Sequence, residues 1–318
     1  MAPLASLVAA ALFAGSQPAG AASRLFEVVH QGTAHEAFFG ISGEGETLIA
    51  VGAPNLLFTS GDGGRTWSGV PGLRATGAML GCILKHGTGL VVGQNGAIYR
   101  REGEGWTAVA SGTTARLFDV DVNAAGLAVA VGAFGTILVS ADAGRTWKPV
   151  DYDWATTNGE GFQPHAYGVA VAPDGTITVV GEFEFVLQSS DGGATWSVVH
   201  LGKASLFDVL IDADGTGYAV GQEGRVLRSR DGGRTWGVVE TGVAGNLLGV
   251  SRTATGEVLV TGMRMMLAGR DGATAFKSIT PGDVATGWYQ GAVGRGGEGW
   301  IVGGQAGRLV HVGIGIDP

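Results

Sequence analysis

Apolar and polar residues alternate in short runs along almost the whole chain, and the runs return in a fixed order. Each unit opens on a bulky apolar pair, continues as a β-branched run that stops at a glycine, turns into a further strand, and closes on an acidic turn with Trp. The opening reads Phe38-Phe39-Gly40-Ile41, Met79-Leu80-Gly81-Cys82, Leu117-Phe118-Asp119-Val120, Ala166-Tyr167-Gly168-Val169, Leu206-Phe207-Asp208-Val209, Leu247-Leu248-Gly249-Val250 and Trp288-Tyr289-Gln290-Gly291. The glycines that end the next run are Gly52, Gly93, Gly132, Gly181, Gly221, Gly262 and Gly304, so both markers occur seven times. A repeat of about 40 residues with period-two alternation predicts four short strands per unit. Such a sheet can bury its faces only against its neighbours, so the pattern predicts an all-β, seven-bladed β-propeller of four-stranded antiparallel blades. The last unit supplies three strands, near 288–293, 299–302 and 307–312. The run 24–29 is expected to complete it as the outer strand, which latches the ring and removes two open edges.

The most specific element is Ser-x-Asp-x-Gly-x-Thr-Trp, whole at 60–67, 140–147, 189–196 and 229–236. Worn copies lie at 100–106 and 269–276, where Asp271 survives. An Asp carboxylate in such a turn can accept backbone N–H bonds, the glycine takes φ > 0, and the Trp packs apolar area on a neighbouring strand. Asp62, Trp67, Asp142, Trp147, Asp191, Trp196, Asp231 and Trp236 are therefore read as fold-maintaining. These motifs resemble the Asp-boxes of sialidase-type propellers. Combined with Val-Gly-x-x-Gly-x-Ile/Val-Leu, they resemble the photosystem II stability/assembly factor family and its bacterial relatives, over nearly all of the chain after residue 22. The resemblance implies a non-catalytic protein that binds a protein partner and assists assembly or stability of a membrane or envelope complex. A basic patch is the implied contact in photosynthetic members; here Arg65, Arg145, Arg225, Arg228, Arg230 and Arg234 are scattered, four of them within Asp-box segments.

Composition narrows the picture. The 59 glycines follow no collagen-like period, which fits many tight turns. A net charge of −8 makes nucleic acid and anionic membrane surfaces poor partners. Residues 1–22 carry no charged side chain and run from an apolar stretch into Ala19-Gly20-Ala21-Ala22. They read as a secretory signal, so export to the periplasm or the extracellular space is expected, with 23–318 as one propeller domain. The apolar run is shorter than the roughly 20 residues that span a bilayer, so no direct membrane insertion is expected. Cys82 is the only cysteine and sits among apolar neighbours, as a buried inert thiol would. A monomer is expected, and no cofactor or metal: His-Glu-x-x-His, Gly-x-Ser-x-Gly and a phosphate loop are all missing, and Asp212-Ala213-Asp214-Gly215 falls where a hairpin turn belongs.

In antiparallel blades the turns joining strands 1–2 and 3–4 share one face, while the 2–3 turns and the inter-blade links share the other. The Asp-boxes belong to the first, with Asp174-Gly175, Asp214-Gly215 and Thr255-Gly256. The second is where the repeat breaks its own rules. Most 2–3 turns read Gly-x-x-Gly, but blade four has Gly181-Glu182-Phe183-Glu184 and blade six has Gly262-Met263-Arg264-Met265-Met266. The link 151–164 into blade four is longer than its peers by roughly nine residues, judged by the repeat period. Tyr152, Trp154, Phe162, His165, Phe183, Met263, Arg264 and Met265 are accordingly the candidate partner-binding residues, with Met266 beside them and Glu36, Arg116 and Asn246 around the channel mouth. Two other readings stay open: a propeller that binds carbohydrate or peptide without turnover, and a sialidase-type glycoside hydrolase. The hydrolase needs an arginine cluster and a Tyr/Glu nucleophile, and the chain has neither an Arg-Ile-Pro segment before the first Asp-box nor a tyrosine spacing that suggests the pair.

Overall fold

The computed structural model describes residues 25–71, 77–159, 161–273 and 275–313; the leader read over 1–22 lies outside them. Seven four-stranded antiparallel sheets surround a central channel. Their inner strands are Ala37–Glu44, Met79–Lys85, Leu117–Val122, Ala166–Val171, Leu206–Ile211, Leu247–Arg252 and Tyr289–Gly294. In six blades the chain steps outward through four consecutive strands. In the seventh, Phe26–His30 takes the outer place beside Leu309–Val312, with Phe26 opposite Val312 and Val28 opposite Val310. The ring is thus closed by its own N-terminal strand, as the missing fourth strand of the last unit predicts.

Apolar residues facing the next blade form the core. Val129, Val131 and Ile137 of blade three meet Val169, Val171, Ile177, Val179 and Phe185 of blade four. Ile301 and Leu309 of blade seven meet Phe38, Ile41 and Leu48 of blade one, so the same packing crosses the closure. Burial of these side chains at about 25 cal/mol per Å² is the main force holding sheets that have little contact except with their neighbours.

The seven strand-ending glycines have one physical cause. A Cβ on any of them would lie within 2.6 Å of a carbonyl oxygen at the entry to the inner strand: Ala37, Ala78, Arg116, His165, Ser205, Asn246 or Trp288. That close approach shifts the strand register just beyond, between Leu117 and Asp119 in blade three and at the matching place in every other blade. The skipped residue, or in blade seven the pair Gln290-Gly291, is left without a ladder partner. One repeat needs correcting: Tyr289, fully buried, occupies the place of Phe38 and Leu117, so the last copy opens at Tyr289-Gln290 rather than at Trp288-Tyr289.

The Asp-boxes are turn staples. In the first, Thr66 donates its backbone N–H to Asp62 Oδ1 (2.9 Å) and its hydroxyl to Oδ2 (2.6 Å). The Ser60 hydroxyl donates to Asp62 Oδ1 (2.7 Å) and accepts from the Gly64 N–H (2.9 Å), and the Trp67 Nε1–H caps the Gly64 carbonyl (2.9 Å). The same set recurs around Asp142, Asp191 and Asp231. Hydrogen bonds to the ionised carboxylate hold Asp62 and Asp142 well below the usual range, and hold Asp191 and Asp231 down at about 2. The worn sixth copy works differently, with Asp271 reaching across to Arg252. Arg252 also binds Asp212 (2.8 Å) and Asp214 (2.9 Å), so the carboxylates of the Asp212-Ala213-Asp214 turn are already engaged by a cation of the chain.

Candidate functional site

The register shift places one residue per blade at the channel mouth: Phe39, Leu80, Phe118, Tyr167, Phe207, Leu248 and Gln290. They line a cavity of about 270 Å³ together with Gln94 and Arg116. The mouth opens on the face of the 2–3 turns. The sequence pattern singles out the bulky pairs but reads both members alike; only the glycine-driven shift reveals that the first is core and the second is collar.

Around the collar, the second residue after each strand-ending glycine, or its equivalent, takes a left-handed backbone: Asn55, Asn95, Phe134, Phe183, Glu223, Arg264 and Ala306 have φ between 53° and 64°. For an L-residue this costs roughly 1 kcal/mol, least for Asn. At two of the seven positions the side chain is phenylalanine and largely in water, Phe134 at 67% and Phe183 at 48% exposure. Neither backbone preference nor burial favours that choice. Phe162, also half in water, meets Phe183 edge-on at 5.8 Å between ring centroids. Phe134 meets His165 at 5.0 Å, and its backbone N–H donates to His165 Nδ1 (3.0 Å). His165 in turn lies 6.0 Å from both Phe118 and Tyr167, and Tyr167 lies 5.3 Å from Phe207. An aromatic track therefore runs from the rim of blade three to the collar. Leu201 and Met263 add exposed apolar area on the same face.

The structure divides the predicted binding residues. Phe162, Phe183, Met263 and Arg264 are exposed and His165 joins the track. Trp154 is not on the surface: it is 5% exposed, packs 5.4 Å from Phe185, and fills a space that only Gly135 leaves open, since a Cβ there would lie 2.3 Å from the indole nitrogen. Its loop folds back through the one-turn helix Ala155–Asn158, and Tyr152 is tied down by Thr157 (2.7 Å) and Thr156 (2.9 Å). Met265 lies half-buried against Gly245, and Met266 is fully buried. Phe134 is the residue missed; its place in an otherwise regular Gly-x-x-Gly turn concealed it.

The irregular turns keep their shape by different means. Glu184 occupies a second-glycine slot with φ 52°, and its buried carboxylate is held by His200 (3.1 Å), Arg225 (3.3 Å) and the Lys203 N–H (3.3 Å). In blade six the turn shifts toward blade seven, where Arg264 donates its N–H to the Gly287 carbonyl (2.7 Å).

A Tyr–Glu contact does exist at the mouth, Tyr167 to Glu182 at 3.5 Å. Burial and the neighbouring Glu182 charge push the phenol up to about 12, away from what a nucleophile requires, and Arg116 is the single arginine lining the collar. Deeper in the channel, burial raises Asp119 to about 8, with the Asp208 charge adding to it, and raises Asp208 to about 6. The Cys82 thiol is pushed up by the same burial.

Fold and site together define a class: an Asp-box propeller with its turn staples on one face and an aromatic collar at the opposite mouth. A family profile described as Photosynthesis system II assembly factor YCF48 matches residues 20–167 and, overlapping, 101–261. The chain belongs to that family. Similar solved structures include one described as YCF48 bound to D1 peptide, 16% identical with TM-score 0.71 over 91% of this chain and 96% of that one. YCF48 from Cyanidioschyzon merolae is 17% identical, also at TM-score 0.71, over 91% and 98% of the two chains. A Staphylococcus aureus virginiamycin B lyase is 9% identical with TM-score 0.73 over 91% and 97%, a likeness of fold alone. No curated protein matches significantly.

Proposed function

We propose that this chain is an exported, non-catalytic scaffold that holds a segment of a protein partner on the channel-mouth face and assists assembly or stability of an envelope or membrane complex. One observation carries the reading: two phenylalanines kept in left-handed turns and in water at the mouth, one of them, Phe134, on a track of aromatic rings that leads to an apolar collar. Exposed aromatics on a rigid frame are what partner recognition uses. The family's assembly-factor description and a relative described with a bound peptide support a polypeptide ligand. Export rests on the apolar leader, and N-terminal sequencing of the mature protein tests it. A carbohydrate ligand is the second reading, since the collar rings could stack on sugars.

The test immobilises the mature protein in envelope extract, identifies what is retained, and titrates a synthetic segment of that partner. A Phe134→Gly, Phe162→Ser, Phe183→Gly variant that melts like the parent should lose the segment. Equal retention by both, or retention of glycans without protein, would overturn the reading.

A further inference from the structure

The channel differs in charge balance between its two ends. Toward the Asp-box face, Asp121 is paired with Lys85 (3.2 Å), and Asp212 with Arg252. Just beneath the collar, one residue beyond Phe118 and Phe207, stand Asp119 and Asp208. Each accepts backbone N–H groups: Asp119 from Val169 (3.0 Å) and Asp208 from Val209 and Val250 (both 2.8 Å). Neither forms an ion pair among the described residues. Blade four, between them, has Gly168 at the same place and so adds no third carboxylate. The cavity continuing down from the collar has a volume of about 380 Å³ and includes both carboxylates.

We infer that the mouth receives one organic cation, a lysine or arginine side chain presented by the protein partner, with its aliphatic stem inside the collar and its charge directed to Asp119 and Asp208. The inference rests on the scaffold reading and names what the partner must supply. The collar suits a stem that is apolar and ends in a cation, because Phe39, Phe118, Tyr167 and Phe207 offer rings whose faces attract positive charge. A bare divalent ion fits less well: it takes six or more oxygen ligands, the two carboxylates already accept N–H groups, and no group of three His, Cys, Asp or Glu among the described residues could hold it. Of the other charged groups at the mouth, Glu182 is engaged by the His165 N–H (2.8 Å), and Arg116 stands exposed at the rim. Arg116 opposes any entering cation, so the two carboxylates and the ring faces must outweigh it.

The probes are N-acetyl-lysine methylamide and its neutral counterpart N-acetyl-norleucine methylamide, titrated into the intact protein and followed by isothermal titration calorimetry. The lysine probe should bind about tenfold more tightly. Its affinity should fall as pH drops through the range where Asp119 (about 8) and Asp208 (about 6) take up protons. Asp119→Asn with Asp208→Asn should bring the lysine probe to the level of norleucine. Phe118→Ala, which leaves both carboxylates in place, should weaken both probes. Equal binding of the two probes by the parent, no binding of either, or lysine preference surviving in the double Asn variant would overturn the inference. Lysine preference without a retained protein partner would uphold the cavity assignment and sink the scaffold reading, and a partner retained without lysine preference would do the reverse.

Discussion

The two faces of this propeller use the same residue types to opposite ends. On the Asp-box face an Asp sits in a turn, gathers donors from its own loop, and is driven strongly to the ionised form. At the channel mouth, Asp119 and Asp208 sit one residue beneath an apolar collar, with no ion pair among the described residues, and are driven toward the protonated form. Left-handed positions of the Asp-boxes are held by glycine except at Ala143, while two of those at the mouth carry the bulky Phe134 and Phe183 despite the strain. Where a repeat satisfies its own local chemistry it maintains the fold. Where it leaves charge, strain or apolar area unsatisfied, the proposed partner binding would give them a use.

The sharpest way to break this contrast is to show that a fold-maintaining residue carries binding, or the reverse. Trp154→Ala should give the largest loss of stability, about 3–4 kcal/mol by chemical denaturation, because its buried ring leaves a cavity beneath the long loop. A smaller loss, about 2 kcal/mol, is expected for the half-buried Trp147→Ala, with the remaining folded protein binding the partner as before. Ser229→Ala removes a buried hydroxyl that serves both Asp231 and the Gly233 N–H, and should cost about 1 kcal/mol.

Melting temperature against pH sharpens the contrast further. The folded-state pKa of the Asp-box carboxylates lies below the unfolded value of about 3.9, so their stabilisation is present above that pH and is lost as pH falls toward 2. Asp119 and Asp208 have raised folded-state values, so the folded chain holds protons that the unfolded chain releases, and their contribution falls as pH rises from about 4 to about 8. Asp119→Asn with Asp208→Asn should make the upper window shallower, with Asp121 and Asp212, also raised by burial, keeping part of it, and should leave the acid limb unchanged. The smallest effect expected is a gain: Phe134→Gly or Phe183→Gly should stabilise by up to about 1 kcal/mol, less the greater entropy of the unfolded glycine chain, while weakening partner binding.

Much of the fold was legible because every blade repeats it. Seven openings and seven glycines give the blade count, and the missing last strand points to the N-terminal run that supplies it. The site was only partly legible. Phe183 stands out because it breaks Gly-x-x-Gly, but Phe134 sits inside an intact version of that motif and gives no such signal. Trp154 belongs to a conspicuous insertion, yet insertion length says nothing of which side chains fold back; Gly135, whose missing Cβ makes room for the indole, is the physical reason it does. The collar needs the register shift, a consequence of backbone approach that alternation alone cannot display.

The most direct test places a photo-crosslinking residue at Phe183 or Phe134 in one pair of variants, and at Arg145 or Arg234 on the Asp-box face in another, and illuminates all four in envelope extract. Discrete adducts of one mass from the mouth-face pair, and none from the Asp-box pair, are the predicted result. Adducts from the Asp-box face alone, or the same adducts from both faces, would contradict the division of labour between the two.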